Sequence, residues 1–226
     1  MVHSKNFVVS IKSNDNFLWE DLGVVYIKEN SEYSIYLKNN QCVRCSVDVL
    51  IDGKSIFAGH RLILSPLDNI NLERFVTDGD LENGKKFKAV SSDSDEVQDP
   101  SDISIGEVEV RFYKEEPQTF FPSPIMYSRR SASFSSAPGM ENYVTTTSSN
   151  YKNAATVMGT TSNQTFKISY ENISYEVVPT ILKLKLKLSK ENITNKTKKY
   201  CSNCGRKLDL KSNFCYNCGD RCTSIK

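Results

Sequence analysis

Two Cys-x-x-Cys-Gly turns close this chain, Cys201/Cys204 with Gly205 and Cys215/Cys218 with Gly219, and ten residues separate them. No other stretch narrows its own fold as far. Four thiolates paired in this way suit one tetrahedral Zn²⁺, and a structural site uses all four positions. The glycines let each backbone turn tightly enough for amides to face the sulfurs. The interval between the pairs is short for a four-cysteine site, but a ribbon needs only a small hairpin there. Four unrelated thiols, or two disulfides, are the competing readings. The expected ligands are Cys201, Cys204, Cys215 and Cys218, and the expected cofactor is one structural Zn²⁺ ion. A ribbon over 200–222 has almost no core, so zinc supplies its folding energy. Leu208 and Leu210 are expected to pack on the metal site with Phe214 and Tyr200.

A reducing compartment follows from the same residues, because metal-binding thiols must stay reduced. The opening MVHSKNFVVSIKSND lacks the apolar core of a secretory signal, and no apolar run reaches the length of a membrane helix. An intracellular protein that is not secreted is therefore expected. Three cysteines remain. Cys42 and Cys45 repeat the Cys-x-x-Cys spacing without a following glycine, and read either as ordinary thiols or as a metal or redox half-site. Cys222 is spare or intermolecular.

The formal charge of +2 conceals an asymmetry. From Lys183 to Lys226 there are twelve Lys/Arg and three Asp/Glu, giving +9; the rest holds 17 basic and 24 acidic residues, giving −7. An anionic partner at the C-terminal end, nucleic acid included, is one reading, and a solvated tail is the other. The candidate contact surface comprises Lys183, Lys185, Lys187, Lys198, Lys199, Arg206 and Lys207.

Ahead of the ribbon, apolar residues recur every second position. Phe7, Val9 and Ile11 alternate with polar neighbours, and residues 1–32 read as an N-terminal arm or edge strands. Tyr33, Ile35 and Leu37 form a second stripe, and Val43, Cys45, Val47, Val49 and Ile51 a third. Asp52-Gly53 follows directly, a pair that tolerates the positive φ of a type I′ hairpin, with Ile56 and Phe57 expected on the return strand. Arg61–Leu64, Ile70–Phe75, Lys86–Val90 and Ile103–Tyr113 continue the series, and Phe166–Tyr170 and Tyr175–Pro179 are further candidates. Ile181–Leu188 reads ILKLKLKL, leucines on one face and lysines on the other. It is expected to be the last strand, its lysines guarding an edge; a lysine ladder on a phosphate backbone is the alternative. Short strands spaced by turn signals predict a mainly β domain over 33–188, an antiparallel β-sandwich.

Three segments break this pattern. Residues 91–102 are acidic and read as a loop, because the EF-hand arrangement that would make them a Ca²⁺ site is absent. Residues 117–163, rich in Ser, Thr and Asn with interspersed aromatics, read as a long surface loop. Residues 189–199 read as a basic linker. Neither a phosphate-binding glycine loop nor a nucleophile elbow is present, and a four-cysteine zinc site leaves no open coordination position. No enzymatic activity is expected.

The stretch YSIYLKNNQCVRCSVDVLIDGKSIFAGHRLILSPLDNINLERF resembles a recurrent "Asn … iDG … leR" β-unit. KKFKAVSSDSDE, EVEVRFY and ATVMGTTSNQTFK, followed by the Leu-rich strand, extend the likeness over most of the first 188 residues. The layout is similar to single jelly-roll structural proteins of large double-stranded DNA viruses, penton-type capsid proteins included. That resemblance implies an eight-stranded jelly roll, cyclic self-assembly such as a pentamer, contact with neighbouring capsid proteins, and residence in the virion and host cytoplasm. It assigns Asp52, Gly53, Glu73 and Arg74 to turn and framework positions. The Leu/Lys final strand and the appended ribbon depart from the pattern. The other reading is an intracellular adaptor whose ribbon and basic tail bind nucleic acid or a protein partner.

Overall fold

The computed structural model describes residues 1–76, 80–116, 151–171, 173–190, 199–201, 203, 206–208, 214–215 and 217–221. Among them there is no helix, and none long and apolar enough to cross a membrane. The strands in chain order are β1 (Val2–Ser4), β2 (Phe7–Ser13), β3 (Asn16–Phe17), β4 (Glu20–Asp21), β5 (Val24–Lys28), β6 (Glu32–Asn39), β7 (Cys45–Ile51) and β8 (Lys54–Ser55). They continue as β9 (Leu62–Leu64), β10 (Asn69–Leu72), β11 (Gly84–Ser91), β12 (Glu107–Lys114), β13 (Ala154–Ser162), β14 (Thr180–Ser189), β15 (Lys199–Tyr200) and β16 (Lys207–Leu208).

These build two sheets and a small hairpin. The first sheet runs β1-β2-β6-β11-β13, with β3 on β2 and β10 on β6; the second runs β4-β5-β14-β12-β7-β8, with β9 on β7. From β11 onward the long strands alternate between sheets, β11 and β13 in the first and β12 and β14 in the second. The inward residues of each period-two stripe meet in one core: Phe7, Val9, Ile11, Ile35 and Leu37 from the first sheet, Val47, Val49, Val110 and Phe112 from the second. Phe7 and Phe112 stack across the two sheets with ring centroids 4.4 Å apart.

Asp52 and Gly53 have φ of 49° and 74°, the left-handed pair expected of a type I′ turn. The return strand is shorter than expected. It ends at Ser55, and Ile56 and Phe57 leave it to fill the core at 3% exposure each. Burial of two large side chains outweighs continuation of the ladder.

Five further expectations are corrected. The segment read as an arm supplies an interior strand, because β2 pairs with β6 over Phe7–Lys12 and its apolar face is fully buried. The Leu/Lys strand is not an edge: β14 lies between antiparallel β12 and parallel β5. That parallel pair makes the second sheet mixed, where an all-antiparallel sandwich was expected. The long loop ends earlier, since β13 pairs with β11 from Ala154 to Ser162; residues 117–150 lie outside the described residues. AATVMGTTS carries no strand signal of its own, because only Ala154, Ala155 and Ser162 are buried and no apolar alternation marks it; the β-unit likeness alone reaches it. Neither Phe166–Tyr170 nor Tyr175–Pro179 forms a strand. Tyr175 makes a single bridge to Glu115, and Ile168, Tyr170 and Val177 are exposed.

Candidate metal centre

The hairpin β15–β16 pairs Tyr200 with Lys207 and so returns the chain directly after Cys201. Both knuckles carry the same closure. The Cys201 amide donates to the Arg206 carbonyl at 2.8 Å, and the Cys215 amide donates to the Asp220 carbonyl at 2.8 Å. In the second knuckle the Asn217 amide points at Cys215 Sγ at 3.4 Å, and Gly219 takes a φ of 72° while its own amide donates to the Cys215 carbonyl. The second turn thus aims an amide dipole at sulfur, which stabilises a thiolate. The outcome is a cluster in which the sulfurs of Cys201, Cys215 and Cys218 lie within 4.8 Å of one another, with Cys201 and Cys218 at 3.4 Å. Zinc–sulfur bonds of about 2.3 Å in a tetrahedron place sulfurs roughly 3.8 Å apart, so the spacing fits a metal ion. Cys204, the fourth expected ligand, lies outside the described residues, as does Cys222.

Leu208 packs with Cys201 and Cys215 at 4% exposure, as expected. Phe214 does not join it: this ring is 60% exposed, held at the surface by the bridge from Phe214 to Arg221. Leu210 lies outside the described residues.

The ribbon rests on one end of the sandwich, where Asn40 Nδ2 donates to the Asn203 carbonyl at 2.6 Å. A cleft of about 350 Å³ opens beside that contact, lined by His3, Asn6, Asn40, Asn203, Arg206 and Cys218 among others. The sequence carries no signal for this seat, because asparagine is frequent throughout the chain.

The expected basic surface is divided. Lys183 Nζ lies 2.7 Å from Glu107 and 2.6 Å from Glu109 on the neighbouring strand, and both carboxylates raise its pKa. Lys185 donates to the Ile103 carbonyl at 3.3 Å, and Lys187 is half-buried on the same strand. The exposed Arg206 donates to Asn217 Oδ1 at 2.8 Å. Lys199 and Lys207 lie on β15 and β16, and Lys198 lies outside the described residues.

The remaining candidates are structural. Asp52 Oδ1 accepts from the Gly106 amide at 2.6 Å and Oδ2 from the Thr156 amide at 2.8 Å, so one carboxylate ties a hairpin to both sheets. Burial pushes this carboxyl above the usual aspartate range, against the pull of those two amides and Lys185. Arg74 is fully buried, its guanidinium donating to the carbonyls of Gln164, Phe75, Asp80 and Asn83 and lying 4.8 Å above the Phe166 ring. Glu73 accepts from Ser162. Cys45 is buried and its thiol pushed up to about 12, which makes it inert, whereas Cys42 is exposed; both are free thiols. In the acidic loop Asp93 pairs with Lys152, and Asp99 and Asp102 accept from Ser101 and Ser104, so local contacts occupy these carboxylates. Among the described residues the cysteines are the one cluster spaced to hold a metal.

Comparison with protein-family models, curated proteins and solved structures returns no match for this chain.

Proposed function

We propose that this chain is a non-enzymatic structural protein that self-associates through a jelly-roll-like β-domain, as a penton-like or minor component of a viral capsid. The observation that carries the reading is a run of exposed apolar side chains between β13 and β14. Ile168, Tyr170, Val177 and Val178 are 60%, 90%, 86% and 76% exposed, and Ile181 at the start of β14 is 48% exposed. Large apolar groups clustered along one segment mark a contact surface, and aromatic residues are enriched in such surfaces. The alternation of β11 to β14 between two facing sheets is consistent with jelly-roll winding, although the parallel β5–β14 pair lies outside an all-antiparallel plan. The unbridged thiols of Cys42 and Cys45 fit a reducing compartment inside the cell. The ribbon, on this reading, is a structural appendage holding one Zn²⁺ through Cys201, Cys204, Cys215 and Cys218.

Sedimentation velocity over a range of protein concentrations tests the proposal. A concentration-dependent oligomer is expected, with loss of association in a Tyr170→Ser/Val177→Ser variant. A monomer at every concentration, together with absence from purified particles, would sink it. Elemental analysis is expected to find one zinc per chain. The second reading, nucleic-acid binding by the tail, rests on its formal charge of +9 (twelve Lys/Arg against three Asp/Glu). It requires an affinity that falls steeply with salt and disappears on truncation after Leu188.

A further inference from the structure

We propose that the cysteine cluster is a peroxide-sensitive switch, in which Cys218 is oxidised first, Cys201 closes a disulfide with it, and the metal ion is released. The inference rests on the zinc reading above and goes beyond it, since the metal then serves as a reversible latch as well as a staple.

The three clustered sulfurs are not equivalent. Cys201 and Cys215 are 0% and 2% exposed, whereas Cys218 is exposed and lines the cleft of about 350 Å³ between ribbon and sandwich. That cleft also carries Arg206, His3 and several asparagines, and among the described residues no carboxylate lines it. A small neutral oxidant therefore reaches one sulfur of the cluster, beside a cation. Reactive thiolates occupy partly exposed, electropositive sites of this kind.

A reversible switch also needs a second thiolate within reach. Cys201 Sγ lies 3.4 Å from Cys218 Sγ. A disulfide requires about 2.05 Å, so a small approach closes the bond. Cys215 is the poorer partner, because the Asn217 amide points at its sulfur at 3.4 Å and draws charge from it. An accessible thiolate beside a resolving one is the arrangement that stops oxidation short of sulfinic acid.

The oxidant is a hydroperoxide, and the chemistry balances as two displacements. The Cys218 thiolate attacks one peroxide oxygen, the O–O bond breaks, hydroxide leaves, and the sulfur becomes a sulfenic acid. The Cys201 thiolate then attacks that sulfur, the S–O bond breaks, a second hydroxide leaves, and the disulfide forms. Two solvent protons convert both hydroxides to water. Sulfur loses two electrons and the peroxide gains them, while zinc keeps its charge and departs because two ligands are gone. Asn203, whose carbonyl accepts from Asn40, lies inside the first knuckle, so loss of the metal also loosens the ribbon's seat on the sandwich.

The test adds hydrogen peroxide to the full-length, zinc-loaded protein, with Cys42→Ser to remove the exposed thiol of the sandwich. One zinc released per peroxide consumed is expected, read with a metallochromic indicator. Tryptic mapping is expected to find Cys201 joined to Cys218, and a dithiol reductant with added zinc to restore the starting state. Arg206→Glu reverses the charge in the cleft without removing a ligand, and is expected to slow zinc release about threefold at unchanged zinc content.

Zinc retained under excess peroxide overturns the switch and leaves the zinc reading standing. A disulfide that omits Cys201 or Cys218 overturns the assigned pair, and zinc loss that reductant cannot reverse overturns the latch. A protein purified under reducing conditions without zinc overturns both the zinc reading and the switch.

Discussion

The sandwich and the ribbon are held by opposite means. In the sandwich, Phe7, Ile35, Leu37, Val47, Val110, Leu184 and many others share one buried core, and no single side chain is decisive. In the ribbon, the described cluster is Cys201, Leu208 and Cys215, two of them thiols. Apolar burial at about 25 cal/mol per Å² cannot support so small a module, whereas a structural zinc contributes on the order of 10–16 kcal/mol. One region spreads its stability over a pattern; the other, on the proposed zinc reading, concentrates it on its cysteine cluster.

The largest effect that could break this comparison is metal removal. A strong chelator, or Cys215→Ser, is expected to unfold the ribbon and leave the sandwich intact, with ribbon amide resonances collapsing while those of β2, β6 and β12 stay dispersed. Simultaneous loss of both sets would show that the sandwich depends on the ribbon seated at Asn40. Next in size, Phe112→Ala removes the ring stacked on Phe7 and is expected to cost about 3–5 kcal/mol in urea unfolding of the sandwich, with zinc content unchanged. A cost below 1 kcal/mol would deny that the two sheets share one core.

Arg74→Met exposes a different weakness. Four carbonyls lose their buried donor, and a cost of roughly 3 kcal/mol is expected, larger than for any single exposed ion pair. A variant as stable as wild type would show those carbonyls finding other donors.

The smallest effect concerns Asp52. Its folded carboxyl titrates above the usual aspartate range, so the folded protein binds the proton more tightly than the unfolded chain. Its contribution is therefore most favourable at low pH and declines as pH rises from the ordinary aspartate value through the raised one. Asp52→Asn is expected to remove that slope and to cost about 1–2 kcal/mol at neutral pH, because an amide nitrogen cannot accept from Gly106 or Thr156. Denaturation midpoints between pH 3 and 7 measure both; a slope unchanged in the variant would assign it to another group.

What was legible in the sequence followed the same division. The stripe from Cys45 to Ile51, the turn at Asp52-Gly53 and the strand at Ile181–Leu188 all appear where alternation and turn chemistry place them. Three of the expected metal ligands converge, and the Cys-x-x-Cys spacing alone announced them. β13 is an edge strand with little apolar burial and carries no stripe, so only the β-unit likeness reaches it, and Phe166–Tyr170 forms no strand because Phe166 packs on the core while Ile168 and Tyr170 face outward. Asn40, Gln164 and Asn203 were invisible as organising residues, since their roles depend on partners 163 or about 90 positions away.

By itself, then, the sequence determined the β class, the hairpin at Asp52-Gly53 and the cysteine cluster, because period-two burial, positive φ and chelate spacing are all local properties. Only the tertiary structure decided that β14 is interior and pairs in parallel with β5, that β2 belongs to the core, and that Arg74 is wholly buried. Each of these depends on which distant strand arrives alongside, and alternation specifies a face without naming its neighbour.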